Sequence, residues 1–219
     1  MRLKLDLHIH SVYSLDSFNT IDTINQHLIE LEFNGYALAD HDTISGIDEA
    51  KAKAGELTVI PALEVSAKGA HILAFDPSEL VESDLTPTET VERIHEQGAT
   101  AILAHPYGLP RSWVNINRVK EAGFDAIEVV NSAQVPYEYI CSLNRKLADQ
   151  LGLPMTGGSD SHIPETIGRS YTIVESDSAE VDDIIKAIKL GHTSAGGTYT
   201  HITEWLSKNF RKKRRVLGF

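Results

Sequence analysis

At 219 residues, with 42% hydrophobic and 23% charged side chains, the chain fits one soluble globular domain able to bury a substantial core. Cys141 is the only cysteine, which excludes an internal disulfide and a thiolate-rich structural zinc site. Net charge is −11 but uneven: residues 208–219 hold six basic and no acidic groups, leaving −17 on the remainder.

The opening MRLKLDLHIH alternates charged and apolar residues and lacks the unbroken apolar stretch of a signal peptide. No run of about 18 apolar residues occurs, so a cytoplasmic protein without membrane contact is expected. The first strand is expected over 3–9. Ile21, Ile24, Leu28 and Leu31 keep a three-to-four spacing, which predicts an amphipathic helix over 22–33 ended by Asn34-Gly35. Strands follow at 36–39 and 58–65, and a tight turn at Lys68-Gly69 leads into a strand at 71–75. Thr86-Pro87-Thr88-Glu89 opens the next helix, with proline early and an acid in the first turn, and runs through Val91 and Ile94 to Gly98. Further strands are expected at 99–104, 126–130, 154–156 and 170–174. Helices at 139–151 and 179–190 end on Gly152 and Gly191. This alternation predicts an α/β fold with a mainly parallel sheet, and seven or eight strands favour a barrel. The domain is placed at 1–207. The basic tail, 208–219, is read as a solvated terminus whose charge would also suit nucleic acid or an acidic partner.

Chemistry concentrates at the ends of the strands. Asp6-Leu7-His8-Ile9-His10-Ser11, Asp40-His41-Asp42-Thr43 and Ser159-Asp160-Ser161-His162 each follow an apolar run. Mixed carboxylate and imidazole donors suit Zn, Mn and Fe, and strand ends are where a barrel gathers its catalytic groups. On an extended strand Asp6, His8 and His10 share one face, with Leu5, Leu7 and Ile9 on the other. Asp160 and His162 likewise share a face, after the flexible Gly157-Gly158. His105 follows Ala-Ile-Leu-Ala and precedes Pro106. Glu64 and Glu128 sit inside apolar strands, where a carboxylate is costly unless paired or metal-bound. His71 begins its strand, but the turn at Lys68-Gly69 would return it beside Glu64. His27 and His95 are assigned to helix surfaces.

Together these motifs resemble the PHP (polymerase and histidinol phosphatase) family of metal-dependent phosphoesterases, over roughly residues 3 to 200. The motifs are Asp6-x-His8-x-His10-Ser11 continuing through Tyr13-Ser14 to Asp16, Ala39-Asp40-His41-Asp42-Thr43, Ala104-His105-Pro106 and Gly158-Ser159-Asp160-Ser161-His162. Pro61-Ala62-Leu63-Glu64 resembles the segment that supplies a bridging glutamate. The resemblance implies a distorted (β/α)7 barrel with its metal site at the C-terminal mouth of the strands. It implies His8, His10, Asp16, His41, Glu64, His71, His105, Asp160 and His162 as ligands for two to three divalent ions, Mn, Zn or Fe. Asp16 stands where some members have histidine, which favours Mn or Fe over Zn. Asp40 and Asp42 would orient ligands.

The implied reaction is hydrolysis of a phosphoester, on a small phosphorylated metabolite or nucleotide, by a metal-bridging hydroxide. Arg111 and Arg169 are the candidates for holding phosphate charge, and His105 or a metal-bound water for protonating the leaving group. A nuclease using the basic tail is the alternative, and a non-catalytic metal-stabilised binding subunit a further one. Oligomeric state is not legible.

Overall fold

The computed structural model describes residues 1–108, 115–201, 203, 204, 206 and 207. Arg111 and the tail at 208–219 therefore lie outside the described residues. The elements run β1 (Arg2–Ile9), α1 (Ile21–Glu30), β2 (Gly35–Leu38), α2 (Ile47–Lys53), β3 (Thr58–Ala67), β4 (Ala70–Phe75), α3 (Pro87–Glu96), β5 (Thr100–Ala104) and α4 (Ile116–Ala122). They continue with β6 (Ala126–Asn131), α5 (Tyr137–Leu151), β7 (Met155–Gly158), a 3-10 turn (Pro164–Thr166), β8 (Ser170–Glu175), α6 (Val181–Lys189) and β9 (Thr193–Gly197). No helix among the described residues is long and apolar enough to cross a membrane.

The local signals act as expected at several boundaries. Thr86 and Glu89 form a capping box at the start of α3, each side chain bonding the other's backbone N–H. Helices α4 and α5 end on Gly123 and Gly152, both left-handed. Helix α1 stops at Glu30, short of the expected end, because Glu32 enters the left-handed region (φ 56°) and turns the chain toward β2.

The nine strands among the described residues lie in the order β7-β6-β5-β4-β3-β2-β1-β8-β9. Strands β1–β2–β3 and β5–β6–β7 are parallel, whereas β4 is antiparallel to both of its neighbours. The far edge then returns to the start. Ile9 pairs in parallel with Ser161, Asp160 N–H donates to the His8 carbonyl (2.8 Å), and His10 N–H donates to the Ser161 carbonyl (3.0 Å). Only glycine permits this approach, since a Cβ at Gly158 would lie 2.4 Å from His8 Cβ. Gly157-Gly158 thus serves close packing rather than flexibility. The barrel expectation holds: β8, expected at 170–174, and a further strand, β9, form an antiparallel flap on the lower half of β1. Strand β9, Thr-Ser-Ala-Gly-Gly, carries no apolar alternation and was not expected.

Alternate residues divide between two layers. Ala37, Ala39, Ile60, Ala62, Leu73, Phe75, Ile102 and Ala104 form the interior, with Ile184 and Ile188 of α6 packed against them. The opposite faces pack outward on the helices. Strand β1 departs from simple alternation. Its register slips between Asp6 and Ile9, so Leu3, Leu5 and Leu7 join the interior, while Ile9 packs outward with Ile21, Ile24 and Leu28 of α1. This irregularity re-aims His8 and His10 into the mouth, as bulges do. It also separates them from Asp6, correcting the expectation of one shared face.

Candidate metal centre

Glu64 is the hub. Its strand, β3, brings a buried carboxylate to the mouth, and five imidazoles surround it. His8 Nε2, His10 Nε2 and His41 Nδ1 lie 3.3, 3.2 and 3.1 Å from Glu64 Oε2. His71 Nδ1 and His105 Nε2 lie 3.0 and 3.1 Å from Oε1. The β3–β4 turn does return His71 to this cluster, and the reversed direction of β4 is what places the start of that strand at the mouth. Asp160 Oδ1 lies 3.3 Å from His10 Nε2 and 3.5 Å from His162 Nδ1. Asp16 Oδ1 is 3.5 Å from His162 Nε2 and 3.9 Å from His41 Nε2. The side chains of His41, His71 and Asp16 are 27, 26 and 22% exposed against 1% for Glu64, so this edge is the part of the cluster most open to solvent.

The structure brings all nine expected ligands to one mouth. Within it, three triads each offer ligand atoms within 4.8 Å of one another: His10–His41–His162, His8–Glu64–His105 and His8–His10–Asp160. Asp160 and His105 reach their places through left-handed backbone, at φ 53° and 29°. Asp160 and His162 are therefore joined by a turn rather than by a shared strand face.

The orientation of the rings fits a cation. His8 Nδ1–H donates to Glu128 Oε1 (3.0 Å), His10 Nδ1–H to Ser14 Oγ (3.2 Å), and His162 Nδ1–H to the Asp160 carbonyl (2.9 Å). Each bond commits one ring nitrogen as a donor and leaves Nε2 as the lone pair facing the centre. His8 Nε2 and His10 Nε2 then stand 3.0 Å apart, two lone pairs facing each other. Glu64 Oε2 is buried beside three imidazole nitrogens yet accepts no hydrogen bond from any of them. Facing lone pairs and an orphaned carboxylate oxygen are the coordination a divalent ion satisfies.

The electrostatics agree. Burial opposes charge on His8, but Glu128, Glu64 and Asp160 outweigh it and hold its pKa well above the usual value. The same contest raises His10 to about 9, through Asp160 and Glu64. His41 falls to about 3, because burial and the neighbouring charge of His10 exceed the pull of Glu64. Burial works against ionised Glu64 and Asp160, yet the imidazoles, His8 first, keep both well below the ordinary carboxylate range. The mouth is a field that favours positive charge, drawing a proton onto the Nε2 lone pairs of His8 and His10 wherever no cation takes them.

Other expected residues are placed elsewhere. Asp40 is buried and its carboxylate is committed, accepting from Ser11 N–H (2.7 Å), Ser11 Oγ (2.6 Å) and Ser14 Oγ (2.7 Å). It braces the loop after β1 and does not touch the centre's ligand atoms directly. Asp42 accepts from Ser66 N–H (2.8 Å), tying the end of β2 to β3. Arg169 is clasped by Glu204 through Nη2 and lies against the Tyr199 carbonyl. The sequence had marked Glu128 as a costly buried acid without giving it a task. Besides holding His8, it accepts from His105 N–H (3.1 Å) and Asn131 Nδ2 (3.0 Å). Asn131, which also reaches Asp160 Oδ2 at 3.3 Å, was missed, since an asparagine closing a strand carries no distinctive pattern.

An α/β barrel whose mouth nests imidazoles and carboxylates around one buried glutamate is a barrel with a candidate site for divalent cations. The family model described as PHP-associated matches residues 141–193. An uncharacterized protein of Methanocaldococcus jannaschii is 31% identical over 142 residues, covering 59% of this chain and 82% of that one. A probable phosphatase of Caldanaerobacter subterraneus subsp. tengcongensis is 25% identical over 207 residues, covering 77% and 80%. A two-domain protein from Bacteroides vulgatus containing a predicted PHP-like metal-dependent phosphoesterase superposes with a TM-score of 0.77 at 19% identity, over 97% of this chain and 70% of that one. The chain belongs to the PHP family.

Proposed function

We propose that this protein is a metal-dependent phosphoesterase that hydrolyses a small phosphorylated metabolite or nucleotide. The observation that carries the reading is the Glu64-centred donor set, most open to solvent, among the described residues, along His41, His71 and Asp16. When bound, divalent ions supply Lewis acidity, making water a nucleophile near neutral pH and offsetting phosphoryl charge. Mn, Zn and Fe all suit this mixture of imidazole and carboxylate, and the triads offer room for two to three ions.

The chain's own residues do the rest. His8, His10, Glu64, His105, Asp160 and His162 hold the floor of the site, fixed by Glu128, Ser14 and backbone carbonyls. His41, His71 and Asp16 form the edge that phosphate approaches. His105 is buried against Glu64 and stands back from the open edge, so a water held at that edge would be better placed to protonate the departing oxygen. Arg169 contributes to phosphate binding only by exchanging Glu204 for the substrate. Asp40 acts from behind, through the loop it braces.

A panel of nucleotides, sugar phosphates, histidinol phosphate and short oligonucleotides tests the reading, with and without EDTA and with Mn²⁺ added back. Turnover that EDTA abolishes and Mn²⁺ restores is expected; chelator-insensitive turnover, or no turnover on any member with metal supplied, overturns it. Oligonucleotide cleavage that disappears on removal of 208–219, with small-ester hydrolysis retained, would select the nuclease alternative.

A further inference from the structure

One hydroxyl in the centre has a bonding pattern with no slack. Ser14 is buried, and its Oγ–H donates to Asp40 Oδ1 at 2.7 Å. Its two lone pairs accept His10 Nδ1–H at 3.2 Å and the backbone N–H of His41 at 2.9 Å. A serine hydroxyl has one proton and two acceptor sites, and all are used here. Asp40, receiving two further bonds from Ser11, fixes the direction of the Ser14 proton. With that proton committed, Ser14 can only accept from His10. The ring is thereby locked with its proton on Nδ1 and its lone pair on Nε2.

We infer that Ser14 is a positioning residue for the centre, acting as a relay from Asp40 that sets the tautomer of His10 and the placement of His41 together. His10 belongs to two of the three triads, and His41 joins it in the triad with His162. The third triad, His8–Glu64–His105, does not depend on Ser14; His8 there is oriented directly by Glu128. Ser14 therefore acts on the two triads that contain His10 and leaves the third untouched. A carboxylate behind an imidazole through a hydroxyl is the indirect form of the backing that Glu128 gives His8 in one step.

The inference rests on the reading that these donors hold divalent ions, and the experiment separates the two. The full chain is stripped with chelator and titrated with Zn²⁺ against a chromophoric competitor, as wild type, Ser14→Ala and Asp40→Asn. Tautomers are read from long-range ¹H–¹⁵N correlations of the imidazoles in the same metal-free samples brought to about pH 10, above the raised pKa of His10, where that ring is neutral. Failure of the wild type to bind Zn²⁺ would remove the cation reading itself. Given binding, Ser14→Ala should weaken one class of site by about 10- to 100-fold and leave another unchanged. Its His10 ring should also lose the Nδ1–H form. Asp40→Asn keeps an oxygen for Ser14 but a weaker acceptor, and should shift both readouts the same way by less. Unchanged Zn²⁺ affinity, a uniform loss at every site, or an unaltered His10 tautomer overturns the inference. Should Ser14→Ala not fold, Asp40→Asn decides by the same outcomes.

Discussion

The two ends of the barrel are built from opposite materials. At the base, where helices feed into strands, left-handed turns fall mostly on glycines such as Gly123 and Gly152, with Glu32 and Asp76 the exceptions, and charge is paired at the surface. Asp125, just before β6, accepts from Ala101 N–H (2.9 Å), His95 Nε2 (2.9 Å) and Lys189 Nζ (3.1 Å), joining the ends of α3 and α6 to the start of the sheet. At the mouth, left-handed backbone falls on Asp42, His105 and Asp160, and ionisable groups are buried in numbers no apolar core would carry. A non-glycine residue in such backbone costs on the order of 1–3 kcal/mol, and it persists only where surrounding structure imposes it. The base is made to be stable. The mouth draws on that stability to hold donors in place.

The largest effect should follow from emptying a position at the mouth. Asp160→Ala removes a carboxylate shared by His10 and His162, and hydrolysis should fall by more than about 100-fold, beyond the loss expected when only a backing group is removed. Circular dichroism should still report a folded chain, and elemental analysis one depleted in metal. Full activity in this variant would dissolve the contrast between the ends.

A middle-sized effect tests the joint between them. Gly158→Val places side-chain atoms where His8 already stands, and should destabilise the chain by about 3 kcal/mol or more in urea unfolding. The joint is irrelevant to stability if the midpoint does not move.

The smallest effect belongs to the base. Asp125→Ala should cost about 1–2 kcal/mol, discounted because Lys189 and His95 are partly exposed, with hydrolysis unchanged. Burial opposes ionised Asp125, but Ala101 N–H, His95 and Lys189 hold its pKa below the ordinary value of 3.8. An acid depressed in the folded state binds fewer protons there than when unfolded, so its contribution is complete above the unfolded pKa. It is lost as pH falls through the folded one. Thermal unfolding from pH 6 to 2.5 should therefore show the difference between wild type and variant shrinking only below about pH 4. A constant difference would locate the effect in packing instead.

The sequence made the donors legible because polar groups interrupting apolar strands are expensive and so stand out. Glu64, His105 and the Asp-His clusters announced themselves that way, and the turn at Lys68-Gly69 was enough to bring His71 home. Other features depended on relations between strands. Nothing in Asp6-Leu7-His8 shows a slipped register, which exists only against β2, so strict alternation wrongly grouped Asp6 with the imidazoles. Gly157-Gly158 looked like flexibility because the neighbour that excludes a side chain, His8, is remote in sequence. The engagement of Arg169 by Glu204 was invisible for the same reason, and Ser14, though it falls within the first motif, was given no task because its partners Asp40 and His41 are remote in sequence.

The seam between β1 and the segment after β7 has a consequence in time. A ribosome releases His8 and His10 first and Asp160 and His162 only after most of the chain has emerged, and pairing over such a separation closes late in folding. Until 160–162 arrive, the two triads that contain His10 are incomplete, so the donor set at the mouth is finished only when the last parallel strand of the barrel has found the first.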